Sequence, residues 1–192
     1  MRAALGALLI LAVAAPALAK NIALPANVTL KPGNKSGDYI DSVSQEVRGA
    51  AFSKLKLCLA QNISNQAVTL TGSAQNPWSP RITGESNTTT VQGGQVFKYE
   101  DAQASTVIAA GSTDGGQSFM GLSRVVIRFE LTAVAGTDRT SLRFTNIGRT
   151  DLDTGGAANS GFMPVGAWKG AKPLAVIETL QALGGRLDSC LQ

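Results

Sequence analysis

Two cysteines have the most distinctive chemistry in this chain. Cys58 lies in KLKLCLAQ, and Cys190 lies 132 positions later in RLDSCLQ, close to the carboxyl terminus. The pair has three interpretations: a nucleophile with its partner, two unrelated core residues, or the two ends of a disulfide. A reactive thiol needs a depressed pKa, which a helix amino terminus, a histidine or another cation provides.

The chain contains no histidine, and this excludes several kinds of active site. Ser-His-Asp and Cys-His catalysis, HExxH metalloproteases and histidine-containing zinc sites all require one. Two distant cysteines cannot supply a four-ligand zinc site, and neither glycine-rich stretch has the lysine of a phosphate-binding loop. We therefore expect no metal and no cofactor.

Carboxylates are the remaining catalytic groups. Asp153-Thr154-Gly155 matches the aspartic-protease triplet, but those enzymes need two such aspartates that share a proton. The chain has one triplet, within a Gly/Ala/Asn-rich stretch, and only 37 residues follow Gly155, so we interpret it as a turn. A carboxylate-dependent hydrolase of the cell envelope is the alternative function. No spacing argument groups its candidate acids, which are Glu85, Glu100, Asp101, Asp151 and Asp153.

The amino terminus has the pattern of a secretory signal. Arg2 precedes an apolar stretch, Ala3 to Ala15, which is shorter than the roughly 20 residues of a membrane-spanning helix. Pro16 and Ala17-Leu18-Ala19 then give the small residues that signal peptidase inspects. We predict a signal peptide over 1–19, cleavage after Ala19 and one exported domain over 20–192, periplasmic or secreted, with no membrane span.

The charge is mild. The net charge of +4 falls to +3 when Arg2 leaves with the signal, and no run of like charges occurs. Such a balance favours solubility rather than attraction to nucleic acid or acidic membranes. We therefore expect a protein or envelope component as the partner, and no nucleic acid.

The elements that would position these residues begin with a predicted strand, Ile22–Leu30. A helix is predicted from Asp38, a good amino-terminal cap, to Asn62. Its apolar residues recur every three or four positions, which is typical of one buried helix face. They are Ile40, Val43, Val47, Ala51, Leu55, Cys58 and Ile63.

Four antiparallel strands are predicted next. Val96–Tyr99 and Ser105–Ala110 form a hairpin that turns at Asp101. Strict alternation over SRVVIRFELTAVAGTDRTSLRFTNI indicates a strand pair with one apolar face. Its register places Leu131 opposite Phe144 and Ala133 opposite Leu142, with Glu130 diagonal to Arg143 within reach of a charge pair.

Two polar, turn-rich stretches, 66–94 and 148–170, are predicted to be long loops, although QAVTLTG at the start of the first could form a short strand. Each holds a tryptophan, Trp78 or Trp168, which either caps the core or anchors a ligand. Pro173 then begins a second helix, whose apolar stripe ends at Cys190. Within it, Gly184 and Gly185 indicate a kink or close packing, because each costs about 1 kcal/mol relative to alanine.

The order strand, helix, four-stranded meander, helix resembles the TATA-binding-protein-like fold. The similarity is sharper to an uncharacterised family of exported bacterial domains with that fold. It lies in FSKLKLCLAQNI, VFKYEDAQASTVIAAGS and VVIRFELTAVAGTDRTSLRFTNIG. The resemblance implies an α+β domain in which two helices pack on one face of a curved antiparallel sheet. It implies no activity.

In that fold the polar face of the central strands stays open, and it is the candidate docking surface. Its residues are Arg128, Glu130, Arg143 and Thr145. We therefore expect a non-enzymatic binding domain that uses this face and the two long loops.

The proposed fold also bears on the cysteines. Cys58 and Cys190 lie on apolar stripes near the ends of two helices that would pack side by side. In an oxidising compartment, two cysteines so placed pair by default. We predict a structural disulfide that closes almost the whole domain.

Overall fold

The structure, a computed structural model, describes residues 21–33, 37–73, 86–118, 123–155 and 157–192. It contains two α-helices and nine strands, with a 3-10 turn over Lys169–Ala171. In chain order these are β1 (Val28–Lys31), β2 (Tyr39–Arg48), α1 (Phe52–Asn62), β3 (Val68–Ser73), β4 (Ser86–Val91), β5 (Phe97–Asp101), β6 (Thr106–Gln117), β7 (Arg124–Val134), β8 (Arg139–Asp151), β9 (Met163–Pro164) and α2 (Pro173–Cys190).

The main sheet has seven antiparallel strands. Six follow the order β1-β2-β8-β7-β6-β5, and β9 pairs with the far end of β8, beyond the part that β2 reaches. β3 and β4 form a separate two-stranded hairpin. The long central strands β6, β7 and β8 are therefore flanked on both sides, which suits their burial.

The β7–β8 pair confirms the register predicted from the sequence. Leu131 lies opposite Phe144 and Ala133 opposite Leu142. Buried and partly exposed residues alternate along the whole of β7, because successive side chains point to opposite faces of a strand. One face of this pair therefore belongs to the core, while the other carries polar side chains.

Both helices cover that inner face. α2 packs against β2, β6 and β8, and α1 packs against α2 and β6. Phe129 and Phe144 meet edge to face below them, with ring centroids 5.3 Å apart. The largest side chains of the core are all almost inaccessible to solvent: Ile40, Leu55, Leu59, Ile127, Leu131, Leu142, Phe144, Ile177, Leu180, Leu183 and Leu187.

The helix predicted over 38–62 is wrong in its first half. Its first half is strand β2, and α1 begins only at Phe52. A bulge explains the error, because Thr29 pairs with Ser42 but Leu30 pairs with Ile40, which leaves Asp41 as an extra residue. The bulge changes the face on which Ile40 lies, so buried apolar residues in β2 recur at helical spacing.

The two predicted loops hold more structure than expected. The stretch 66–94 contains β3, which corresponds to the possible strand in QAVTLTG, and the unexpected strand β4. Trp78 and Glu85 lie outside the described residues. The stretch 148–170 contains the end of β8, then β9. Asn159 fastens the two stretches together, since its Nδ2 donates to the carbonyls of Thr71 and Asp151 at 3.2 and 2.9 Å.

Helix α2 begins at Pro173, as predicted, and its core-facing side includes Gly184. A Cβ on Gly184 would lie 2.2 Å from Oε1 of Gln45 on β2, whereas one on Gly185 would meet nothing within 4 Å. Close packing on a neighbour, one of the two predicted roles of these glycines, is therefore found at Gly184.

The fold is a mixed α+β structure with an antiparallel sheet and two helices. The predicted order of one strand, a helix, four strands and a helix is not confirmed, because two strands precede α1 and the β3–β4 hairpin follows it. In the part of the chain that the structure describes, no helix is long and apolar enough to cross a membrane.

Candidate functional site

The outer face of the main sheet, opposite the helices, is covered over one half and open over the other. Arg128 and Gly148 oppose each other in the covered half, where Phe162 lies over both. Towards the other end of the same strands, Glu130 opposes Thr145 and Thr132 opposes Arg143. We call this second region the open half-face, and its charged residues are Asp41, Glu46, Lys98, Glu130, Arg139 and Arg143.

Three ion pairs join strands across the open half-face. Arg143 lies 3.7 Å from Asp41, and Arg139 lies 3.7 Å from Glu46, which links β8 to β2 twice. Lys98 of β5 pairs with Glu130 of β7. Positive and negative groups therefore alternate, and the six charges sum to zero.

Lys98 reaches Glu130 across an intervening strand. Ala110 of β6 stands directly opposite Glu130, and its methyl group leaves room for the lysine chain to extend over it. The hydrogen bond from Lys98, followed by that from Asn146, holds the pKa of Glu130 below its usual value. Glu130 is therefore a fixed negative charge at neutral pH rather than a general acid.

The charge pair predicted between Glu130 and Arg143 is not formed. The two residues are diagonal to each other, as expected, but each has another partner, Lys98 for Glu130 and Asp41 for Arg143. Neither partner follows from the sequence pattern. Asp41 falls within the predicted helix, and Lys98 lies two strands away from Glu130.

Arg128 differs from the other predicted face residues, because its side-chain partners lie outside the strands of the main sheet. Its Nη2 donates to the carbonyl of Gln92 at 2.6 Å, and its guanidinium lies 4.8 Å from the ring centroid of Phe162. These contacts bind the segment after β4 and the segment before β9 to the centre of the sheet. Arg143, by contrast, is 54% exposed, and Thr145 is half-buried beside it.

Trp168 packs on two neighbours close to it in the fold. Its ring meets Tyr39 edge to face at 5.6 Å, and it lies so close over Gly166 that a Cβ there would come within 2.3 Å of the ring. Glycine at 166 is what permits this contact. Both rings border an open cleft of about 380 Å³, which Arg149, Asn159 and Met163 also line. Trp168 is therefore held by Tyr39 and Gly166 and lines this cleft.

The four candidate hydrolase carboxylates within the described residues, all except Glu85, are engaged in turns or ion pairs. Asp101 accepts the N–H groups of Gln103 and Ala104, both at 2.9 Å, and the Ala104 bond contributes most to lowering its pKa. Glu100 pairs with Lys56. A catalytic general acid needs a raised pKa, so Asp101 suits a turn rather than catalysis.

Asp151 and Asp153 line one open cleft of about 680 Å³ with Arg149 and Lys172. Asp151 lies 3.6 Å from Arg149, while Asp153 accepts the N–H of Gly155 at 2.7 Å. Asp153-Thr154-Gly155 is therefore part of a turn. Over the ranges described above, no group of three or more Asp, Glu, Cys or His residues could hold a metal ion.

The cysteines are joined as a disulfide. The Sγ atoms of Cys58 and Cys190 lie at bonding distance, with the Cα atoms 5.7 Å apart, inside the range that a disulfide spans. Cys58 is buried, while Cys190 is partly exposed at the end of α2. A nucleophilic role for either thiol is incompatible with this bond.

No family model matches this chain, and no relative is found among curated proteins. A crystal structure of a DUF4468 family protein from Bacteroides ovatus ATCC 8483 is similar to it, with a TM-score of 0.39 and 10% sequence identity over 79% of this chain and 81% of that chain. DUF4468 is an uncharacterised bacterial family. This similarity assigns no function, and it does not confirm the TATA-binding-protein-like fold expected from the sequence.

Proposed function

We propose that this protein is an exported, non-enzymatic domain that binds a protein or another envelope component through the open half-face. One observation carries the proposal: four strands of a rigid sheet hold six charged side chains on a surface that neither the helices nor the β3–β4 hairpin covers. Side chains on strands are positioned more precisely than side chains on loops, which favours specific recognition.

The arrangement of these charges supports a specific rather than a general attraction. Because the six charges cancel, the open half-face has no net charge that would draw in nucleic acid or any acidic surface. A partner with the opposite alternation would still be distinguished from one without it, since charge complementarity governs specificity more than affinity. Arg139 and Arg143 are the most accessible of the cations, at 75% and 54% exposed.

The export part of the proposal rests on two features. The amino-terminal pattern of Arg2, an apolar stretch and Ala17-Leu18-Ala19 is typical of a cleaved signal. The Cys58–Cys190 disulfide is of the kind that persists in oxidising compartments.

A double charge reversal tests the binding surface. Arg139→Glu with Arg143→Glu should leave the melting temperature nearly unchanged, because exposed ion pairs contribute only about 0–1 kcal/mol. The same variant should lose the partner that cross-links to the wild type in intact envelopes. Lys54→Glu with Arg186→Glu, on exposed helix positions, is the charge-matched control and should retain it.

The alternative of a carboxylate-dependent envelope hydrolase has one supporting observation, since Asp151 and Asp153 line the same cleft. If it held, Asp151→Asn with Asp153→Asn would abolish release of labelled fragments from envelope polysaccharide. The binding proposal predicts no such release from the wild type at any pH.

A further inference from the structure

Strand β4 is an exposed strand whose hydrogen-bonded neighbour, within the described ranges, is β3 alone. Its sequence is SNTTTV, and Asn87 to Thr90 are all exposed. Threonine and valine are enriched in strands, and they make up four of its six residues. β4 therefore presents a formed strand edge to its surroundings.

The contacts of β3 reveal which backbone groups of β4 point outward. The N–H of Thr71 donates to Leu152 and its carbonyl accepts from Thr154, so both groups point away from β4. Thr88, which faces Thr71, therefore forms a non-hydrogen-bonded pair with it. Hydrogen-bonding direction alternates along a strand, so the N–H and C=O groups of Ser86, Thr88 and Thr90 face the free edge.

The two edges of the main sheet differ from this one. β1 has only four residues, ends at Lys31 and carries the bulge at Asp41 in its pairing with β2. β5 has an irregular register between Phe97 and Tyr99 and carries three charged residues, Lys98, Glu100 and Asp101. Short strands, bulges and charges are the usual protections against edge-to-edge pairing. β4 has an uninterrupted register, no charge and no proline.

We propose that β4 pairs with β4 of a second copy of this chain, antiparallel, about a two-fold axis at Thr88. The axis sets Thr88 against its own counterpart and Ser86 against Thr90 of the second copy. Each outward N–H and C=O of these residues, which has no strand partner within the described ranges, then meets a C=O or N–H of the second copy. Because the strand is uncharged, self-pairing brings no like charges together, and Thr–Thr contacts across strands are favourable.

Such a contact joins two hairpins into one four-stranded sheet and buries little surface, so association should be weak and concentration-dependent. The open half-face lies on the other half of the sheet, away from the part that the β3–β4 hairpin adjoins. Self-association through β4 is therefore independent of the binding function proposed above.

Sedimentation equilibrium of the mature, oxidised protein tests the proposal at loadings from about 1 μM to about 1 mM, the range in which small interfaces dissociate. The wild type should pass from monomer to dimer across it. Thr88→Pro should stay monomeric, because it removes an outward N–H that β3 does not use. Thr88→Lys should stay monomeric as well, whereas Thr69→Lys, on the neighbouring strand, should dimerise like the wild type.

Cross-linking gives the register. Antiparallel residues in a hydrogen-bonded pair have Cα atoms about 5.5 Å apart, within disulfide range, so Thr88→Cys should oxidise to a covalent dimer and Thr69→Cys should not. A wild type that stays monomeric at every loading would overturn the proposal. A strand of another protein would then be the remaining candidate partner for β4. A dimer unaffected by Thr88→Pro would overturn it equally, by placing the interface elsewhere.

Discussion

The Cα atoms of Cys58 and Cys190 lie 5.7 Å apart, although 132 residues separate them along the chain. The bond fastens the penultimate turn of α1 to the last residue of α2. All strands from β3 to β9 lie within the loop that it closes. The two helices that cover the sheet are thereby tied to each other as well as to the strands.

Replacing both cysteines should destabilise the domain without changing its fold. A disulfide that closes so long a loop contributes about 4–5 kcal/mol on the chain-entropy account, and removing a native disulfide typically costs about 2–5 kcal/mol. Urea unfolding of the Cys58→Ala, Cys190→Ala variant should show that loss. Thiol titration of the unfolded, unreduced wild type should find no free sulfhydryl, and two free thiols would refute the pairing.

The adjacent glycines of α2 should respond differently to alanine. Gly185→Ala should raise the unfolding free energy by up to about 1 kcal/mol, because the site is open and alanine favours helix. Gly184→Ala should raise it by less, because the new methyl group must displace the amide end of the Gln45 side chain. Adding Gln45→Ala should remove most of this difference, and equal effects at the two glycines in the wild-type background would contradict this packing.

Glu130 should contribute to stability only when it is ionised. Its pKa is lowered in the folded protein, so its contribution is present above the unfolded pKa, about 4.3, and is lost as pH falls through the folded pKa. The stability difference between wild type and Glu130→Gln should therefore shrink as pH falls from 6 to 3. Lys98→Met should raise the pKa of Glu130 in an NMR titration, and an unchanged pKa would show that Lys98 is not its main partner.

Arg128 and Arg143 should differ in structural importance, although both were predicted to belong to one polar face. Arg128→Ala removes a charged hydrogen bond and the contact with Phe162, so we expect a loss of about 1–3 kcal/mol. Hydrogen exchange should also accelerate in β4. Arg143→Ala should change stability by less than about 0.5 kcal/mol. A neutral Arg128→Ala would show that the hairpin is held by other contacts.

The part of the fold that could be predicted consists of strands with uninterrupted alternation that pair with the next strand in the sequence. β7 alternates without interruption and turns directly into β8, so Leu131 and Phe144 could be paired from the sequence alone. The cysteines could be paired because both were predicted near helix ends, in a chain whose amino terminus has the pattern of a secretory signal and which has no other thiols.

The part that could not be predicted depends on irregularities. In β2 the bulge at Asp41 and the polar residue Gln45, which faces Gly184, give buried Ile40, Val43 and Val47 the spacing of a helix. In the candidate site, the sequence pattern predicts that Arg128 is one more residue of the polar sheet face. Its structural role comes from Gln92 and Phe162, two contacts that are distant in sequence.

The central claim is that the open half-face binds a partner in the envelope, and site-specific photocross-linking tests it most directly. A benzoylphenylalanine at Ser141, which is exposed between Arg139 and Arg143, should give a discrete adduct in the native envelope, and Arg143→Glu should abolish it. The same probe at Ala182, exposed on α2, should give none. No adduct from Ser141, or the same products from both positions, would contradict the account.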